Sequence, residues 1–342
     1  MENLRHICIF LCMILTFTLN GCSIKKEPIS KSSFFMGTIV NITLYDKFDE
    51  GIIDKAFNKI SEIESLLSLN IQNSEINKIN EKSGIEPVKV TKTTFDIIEK
   101  SLEYSKASKG NFDITIGPLV KLWGIGSEDA RVPDDNEILD TIKLINYENI
   151  ILDKKNTTVF LKEENMVLDL GAIAKGYIAD LISDILIEEG VSKAIIDLGG
   201  NIFALGKKNK NENWTIGIQN PFENRGAPLG TLSICNKSVV TSGIYERYLE
   251  INNTKYHHIL NPKTGYPYDN NLASVTIVSS KSIDGDALST STFGMGLSDG
   301  LELIESLPEI EGIFVTKSKE IFISKGLKNN FKLLDNSFKI AN

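Results

Sequence analysis

From residue 34 onward two hydrophobic periods alternate along the chain, and the switches between them mark its elements. After Phe34-Phe35-Met36-Gly37-Thr38, the apolar positions Val40, Ile42 and Leu44 fall on every second residue, which predicts a half-buried strand. Ile52, Ala56, Phe57, Ile60, Ile63 and Leu67 then recur at helical spacing and predict an amphipathic helix over 52–67. Residues 70–80, rich in Asn and Ser, read as a loop. A second helix covers about 93–108, with Gly110 as its stop. Phe112 to Ile116 read as a short strand meeting Gly117-Pro118, where the residue before proline is pushed out of helical geometry. A short apolar turn of helix to Trp123 and an exposed loop over 125–137 follow. Residues 150–152 and 159–161 form a hairpin around Asp153-Lys154-Lys155-Asn156.

The second half continues the alternation. Met166 to Tyr177 reads as a strand, a glycine turn at Gly171 and a helix reaching about residue 189. An acid at a strand end facing the free amides of a helix start makes a ligand-binding corner. Ile195-Ile196-Asp197-Leu198-Gly199-Gly200-Asn201 reads as a second such corner, and neither carries the full dinucleotide glycine fingerprint. Strands are expected over 214–219, 230–234, 239–241, 248–251, 256–259 and 274–278, with turns at Asn220-Pro221, Asn252-Asn253 and Gly265. A helix over 282–294, N-capped by Ser282, another over 298–306 and two short strands complete the chain. No repeat of solenoid spacing and no Pro- or Ser-rich linker interrupts this order after residue 33, which predicts one α+β domain.

Composition narrows the function classes. The 342 residues carry a net charge of −8 with a pI near 5.2, against a nucleic-acid-binding surface. A polyanionic ligand would have to be held by backbone amides, a metal or a few placed cations. At the N-terminus Arg5 and His6 precede an apolar run from Ile7 to Leu19, the form of a secretory signal and short for a membrane span. The run ends Leu19-Asn20-Gly21-Cys22, similar to a bacterial lipobox. This predicts a signal peptide over 1–21, lipidation of Cys22, a polar tether over 22–33 and a domain over 34–335; a plain signal anchor or a simple secreted protein fits the same apolar run. The chain is then expected to be exported and lipid-anchored at the outer face of the cell membrane. Cys8 and Cys12 leave with the signal and Cys22 is consumed, so Cys235 alone remains, packed and inert.

Groups able to do chemistry are few. Of three histidines, His257 and His258 sit together in Tyr256-His257-His258-Ile259-Leu260-Asn261-Pro262, and these are the only ones outside the expected signal. Asp286 and Thr290 lie four apart on a predicted helix, so their oxygens share one face. An imidazole beside a hard-oxygen cation site points to phosphate chemistry. Two ordinary strand histidines flanking a Pro/Gly hairpin turn fit the same residues. Thr241-Ser242-Gly243 offers a hydroxyl and an unhindered amide to a phosphate.

The ordered set of these stretches resembles the ApbE family, the FAD:protein FMN transferases. The matching segments are Met36-Gly37-Thr38, Phe112 to Val120 with Leu122-Trp123-Gly124, Leu168 to Gly176, Gly199-Gly200-Asn201, Thr241-Ser242-Gly243, His258 to Pro262 with Thr264-Gly265, and Asp286 to Thr290. The resemblance implies a T-fold-related α+β domain of mixed, mainly antiparallel sheets with flanking helices. It implies that Met36, Asp113, Asp169, Lys175 and the backbone at Leu260 contact FAD, and that Asn111 and Phe112 line the same pocket. Asn70 stands where an aromatic side chain often stacks on the flavin, Asn261 where an Asp usually precedes the proline, and Gly285 where Ala is commoner. Mg2+ is implied on the carbonyl of Ala172 and the side chains of Asp286 and Thr290; Ser289 stands where some members carry a second carboxylate.

The reaction that the resemblance implies is transfer of FMN from FAD to a Thr hydroxyl of a membrane-associated redox protein, with release of AMP. His258 is the expected base, and strand alternation turns His257 away from it. Attack by water instead would make the same site an FAD pyrophosphatase. A non-catalytic, flavin-binding surface lipoprotein is the alternative outside enzymology.

Overall fold

The computed structural model describes residues 27–341. The expected signal and Cys22 lie outside them. Alternation along the strand segments resolves into β1 (Ile29–Phe35), β2 (Thr38–Leu44), β3 (Val88–Lys89), β4 (Ile150–Asp153), β5 (Thr158–Leu161), β6 (Ala194–Leu198), β7 (Asn201–Leu205), β8 (Trp214–Gln219), β9 (Pro228–Ile234) and β10 (Lys237–Gly243). These are followed by β11 (Tyr248–Ile251), β12 (Thr254–His257), β13 (Leu272–Ser279), β14 (Glu311–Thr316), β15 (Glu320–Ile323), β16 (Phe331–Leu333) and β17 (Lys339–Ile340). The helices are α1 (Glu50–Leu67), α2 (Glu75–Glu81), α3 (Lys92–Ala107), α4 (Gly117–Trp123), α5 (Asp135–Thr141), α6 (Ala174–Glu188), α7 (Ser282–Met295) and α8 (Leu297–Ser306).

Among the described residues nine strands form the main sheet in the order β1-β2-β6-β7-β10-β13-β14-β15-β17, antiparallel throughout except for the parallel pair β15–β17. Both of its faces are covered. Val275 and Ile277 of β13 and Phe314 of β14 join the helix-side core with Ile178 and Ile182 of α6. Their alternating neighbours Val278, Ile313 and Val315 join a second core with Trp214, Ile216 and Leu232, from the three-stranded sheet β16-β9-β8. Double coverage is why β13 shows no polar, solvent-facing side: all eight of its residues are buried, the hydroxyls of Ser274, Thr276 and Ser279 included. The structure is thus the expected α+β arrangement of mainly antiparallel sheets with flanking helices.

Several expected elements come out differently. Residues 29–33, taken as tether, are strand β1, paired with β2 from Ile29↔Leu44 to Phe35↔Thr38. Its Ser- and Lys-rich sequence is that of a sheet edge, which needs no buried stripe. The fold also runs past residue 335, since Ile340 of β17 pairs with Ile321. The 70–80 loop contains α2, started by Ser74, whose hydroxyl accepts from the Asn77 amide. The 125–137 loop ends in α5, which a capping box between Asp134 and Glu137 begins. Asp197-Leu198-Gly199-Gly200-Asn201 closes a hairpin between β6 and β7, not a strand-to-helix corner. The expected strand over Phe112 to Ile116 is a hydrogen-bonded turn that keeps only the bridge Ile116↔Val167, and Val167 contributes that bridge rather than a strand of its own.

Candidate active site

One cleft of about 520 Å3 opens where the ends of β2, β7 and β10 meet the first turn of α6 and the middle turns of α7. Its wall begins at the β1–β2 turn, where Met36 (φ 51°) and Gly37 (φ 71°) are both left-handed. That is the geometry of a tight two-residue hairpin, and at the first position it is strained for a side chain other than Asn, Asp or Gly. The Met36 amide donates to the Glu64 carboxylate of α1 at 2.8 Å, which fixes the turn. Met36 is therefore presented to the cleft by a locked backbone.

The segment after α3 lines the next wall. Gly110 (φ 76°) ends the helix, and the Asn111 side chain and Phe112 amide both return to Ser108, at 2.8 and 3.0 Å. The Asp113 carboxylate ties the turn together. It accepts from the Thr115 amide (2.8 Å), the Thr115 hydroxyl (2.7 Å) and the Tyr147 amide (2.9 Å). Burial raises its carboxyl above the usual range, against the pull of those bonds. Asn111, Phe112, Asp113, Asp169, Ala172 and Lys175 all border the cleft, as the sequence led us to expect. Asp169 accepts from the Gly171 amide at 2.7 Å; burial raises it as well, while Arg247 and Lys175 pull it down. Asn70 does not join them. It is exposed in the turn after α1 and is absent from the cleft lining.

α6 and α7 meet at Gly176, where no side chain separates them. The Gly176 amide, a free donor in the first turn of α6, donates to Asp286 Oδ2 at 2.8 Å. Asp286 Oδ1 lies 3.8 Å from Lys175 Nζ. Since Asp286 takes the Gly176 amide, the carbonyl four residues back, at Ala172, is left without that partner. The first turn of α7 is held from α6 by Asp180, whose two oxygens accept from the Ser282 and Ile283 amides at 2.7 and 3.0 Å. Ser282 is thus inside the helix and capped by Asp180, rather than being the cap. Thr290 lies one turn beyond Asp286, and its hydroxyl is 3.1 Å from that of Ser242.

The two histidines separate cleanly. His257 is buried; its Nε2 donates to the Tyr268 carbonyl at 3.0 Å and its Nδ1 accepts from the Ile259 amide at 3.3 Å. Both ring nitrogens serve the backbone. His258 faces the cleft, and its Nδ1 is 3.1 Å from the Arg247 carbonyl. A carbonyl only accepts, so Nδ1 carries the proton and Nε2 keeps its lone pair. Burial, then the Arg247 guanidinium, hold this ring down to about 3, so it is neutral at pH 7.

Two contributors escaped the sequence reading. Arg225 and Arg247 both line the cleft, although the chain has only four arginines. They sit in loops without periodicity, and their scarcity in an acidic chain was the available signal. A buried donor also remains open, for Asn201 lines the cleft and its Nδ2 has no partner among the described residues.

Oxygen donors of Asp286, Thr290 and Ala172 suit a hard cation such as Mg2+. Among the described residues no group of three or more His, Cys, Asp and Glu side chains could hold a metal. A cation here would therefore depend on ligand oxygens as well, which is the usual habit of Mg2+ at phosphate sites.

A cleft with one neutral, oriented imidazole, one hard-oxygen corner and a pair of arginines is that of a phosphoryl- or nucleotidyl-handling protein. The chain belongs to the ApbE family, whose model matches residues 36–314. It is 41% identical over 311 residues to the FAD:protein FMN transferase of Klebsiella pneumoniae strain 342, covering 91% of this chain and 96% of that one. It is 31% identical to the FAD:protein FMN transferase of Treponema pallidum, with 96% of each covered. Among solved structures, the ApbE protein of Thermotoga maritima superposes with a TM-score of 0.81 at 30% identity, over 88% of this chain and 98% of that one. The flavin transferase ApbE of Vibrio cholerae gives 0.80 at 25% identity, over 89% and 99%.

Proposed function

We propose that this chain transfers the FMN part of FAD to a hydroxyl of a protein acceptor, releasing AMP. The observation that carries the reading is the state of His258: one nitrogen pinned to the Arg247 carbonyl, the other unprotonated, in the cleft that also holds Asp286 and Thr290. Relatives matched over nearly their whole length are named for this activity, which supports transfer over simple hydrolysis or passive flavin binding.

In the proposed reaction the acceptor hydroxyl attacks the FMN-side phosphorus. His258 Nε2 takes the hydroxyl proton as the new O–P bond forms. The bond from that phosphorus to the bridging oxygen breaks, and AMP leaves with that oxygen. Met36, Asn111, Phe112, Asp113, Asp169, Lys175 and the Leu260 backbone would hold the dinucleotide, and Arg225 and Arg247 add positive charge beside it. The Ala172 carbonyl, Asp286 and Thr290 would hold Mg2+, which when bound supplies charge neutralisation for the phosphoryl oxygens and the leaving group. The acceptor is a Thr on a subunit of a membrane redox complex, and export with lipidation at Cys22 would keep the enzyme beside it.

His258→Ala should retain FAD binding, measured by quenching of flavin fluorescence, yet leave an acceptor protein without the added mass of FMN. Undiminished transfer by that variant would remove His258 from the reaction. Release of AMP without a flavinylated acceptor would recast the enzyme as a pyrophosphatase.

A further inference from the structure

Beside the cation corner lies a run of three hydroxyls whose direction can be read from its end. Ser289 Oγ donates to the Asp286 carbonyl at 2.9 Å, one turn back along α7. Ser242 Oγ, from the end of β10, is 2.8 Å from Ser289 Oγ and 3.1 Å from Thr290 Oγ1. Each hydroxyl has one proton to give. The Asp286 carbonyl can only accept, so the Ser289 proton is committed to it. Two oxygens at 2.8 Å need a proton between them, so Ser242 must donate to Ser289. Ser242 then has none left, and the Thr290–Ser242 contact must be filled by the Thr290 proton. The order is therefore Thr290 to Ser242 to Ser289 to the Asp286 carbonyl.

We propose that Ser242 and Ser289 are positioning residues that draw the Thr290 proton toward the β10 wall, leave its oxygen lone pairs free for a ligand, and thereby set the affinity of the site for a divalent cation. The proposal rests on the reading of Asp286 and Thr290 as cation ligands. A hydroxyl that met a cation proton-first would repel it, so orientation matters as much as distance. Donating along the run also polarises the Thr290 oxygen and makes it a better ligand. The carbonyl at the end belongs to Asp286 itself, so the same residue supplies the carboxylate and fixes the hydroxyl next to it. Removing Ser289 would reverse the order: Ser242, freed of its acceptor, would donate to Thr290 and turn the Thr290 proton into the cleft.

The test is Mn2+ binding, followed by EPR as loss of the free-ion signal, with FAD present in a His258→Ala background so that turnover does not intrude. Ser242→Ala and Ser289→Ala should each weaken Mn2+ by about tenfold or more, the usual effect of losing a group that orients a ligand. Ser242→Thr, which keeps a hydroxyl, should restore binding to within about threefold, by the same scale. Unchanged affinity in both alanine variants would overturn the proposal, as would a Ser242→Thr protein as weak as Ser242→Ala, since bulk rather than the hydroxyl would then be at fault. Asp286→Asn separates the two levels. If it abolishes Mn2+ binding while the serine variants do nothing, only the hydroxyl run is wrong. If it binds Mn2+ like its parent, the cation reading falls and takes this proposal with it.

Discussion

Gly176→Ala isolates the contact on which the cleft is built. A Cβ at this position would stand 2.4 Å from the Ser282 carbonyl oxygen, 2.7 Å from Ile283 Cα and 2.8 Å from Asp286 Cβ. Two of those three neighbours are backbone, so no flexible side-chain end can swing aside. Ordinary contact begins near 3.4 Å, which means α7 must retreat from α6 by about 1 Å. Overpacking of this kind costs ~1–3 kcal/mol. Loosening the charge-assisted bond from the Gly176 amide to Asp286 costs a further ~1.5–3 kcal/mol, and the better helix propensity of Ala returns ~1 kcal/mol. The expected destabilisation is therefore ~1.5–5 kcal/mol, with Asp286 and Thr290 displaced together because they ride on the same helix. A shift of that size at a reacting site costs about a hundredfold in turnover. Urea unfolding gives the first number and AMP release from FAD the second. Gly217→Ala, whose Cβ would meet only Pro228 at 3.4 Å, is the matched control. A Gly176→Ala protein with the stability of the control and turnover within twofold of the parent would refute the idea that close approach of these helices sets the site.

Four further outcomes follow from the same geometry. The free enzyme holds His258 far below its usual 6.5, so the acid limb of kcat/KM should fall well under pH 6, whereas the limb of kcat should lie higher because the bound diphosphate favours the imidazolium; coincident limbs near 6.5 would contradict this. For stability the sign runs the other way from a paired histidine: with its folded value depressed, His258 contributes fully above about pH 6.5 and loses that contribution as the pH drops toward 3, a few kcal/mol at most for a partly exposed ring, so His258→Gln should flatten the denaturation profile over that window. His257→Ala should cost ~2–3 kcal/mol in unfolding experiments through the two backbone bonds that it strands, while its remaining folded fraction transfers FMN at the parental rate. Asp113→Ala leaves the Thr115 and Tyr147 amides without their acceptor, and should raise the KM for FAD about tenfold with a smaller change in kcat.

The polar groups of the cleft were easier to name from sequence than the architecture around them. His258, Asp286 and Thr290 could be named because titratable and hard-oxygen groups are scarce here and because four-residue spacing on a helix needs no tertiary knowledge. The helices over 50–67 and 92–107 announced themselves by period. The wall at Phe112–Asp113 did not: Ile114 and Ile116 alternate as in a strand, but Asp113 spends its carboxylate on local amides and turns the chain instead. β1 was missed because an edge strand shows polar residues on both sides, and the left-handed Met36–Gly37 turn became readable only once β1 was known. Arg225 and Arg247 arrive from loops more than 20 residues apart, which no periodicity joins. Asn70 is the converse case: a position named by resemblance that stands exposed, outside the lining of the cleft.

The pairing of β2 with β6 has a consequence for how this protein is made. Val40 meets Leu198, so the inner edge of the first hairpin stays bare while roughly 150 further residues are synthesised. Closing so long a loop is slow, and an unpaired apolar edge invites association with other chains in the meantime. The cleft takes residues from before, within and after that gap, from Met36 through Asp113 and Lys175 to His258 and Thr290. The nascent chain should therefore carry no trace of a nucleotide site until its last third has emerged, and during that interval it is a natural client for a holdase.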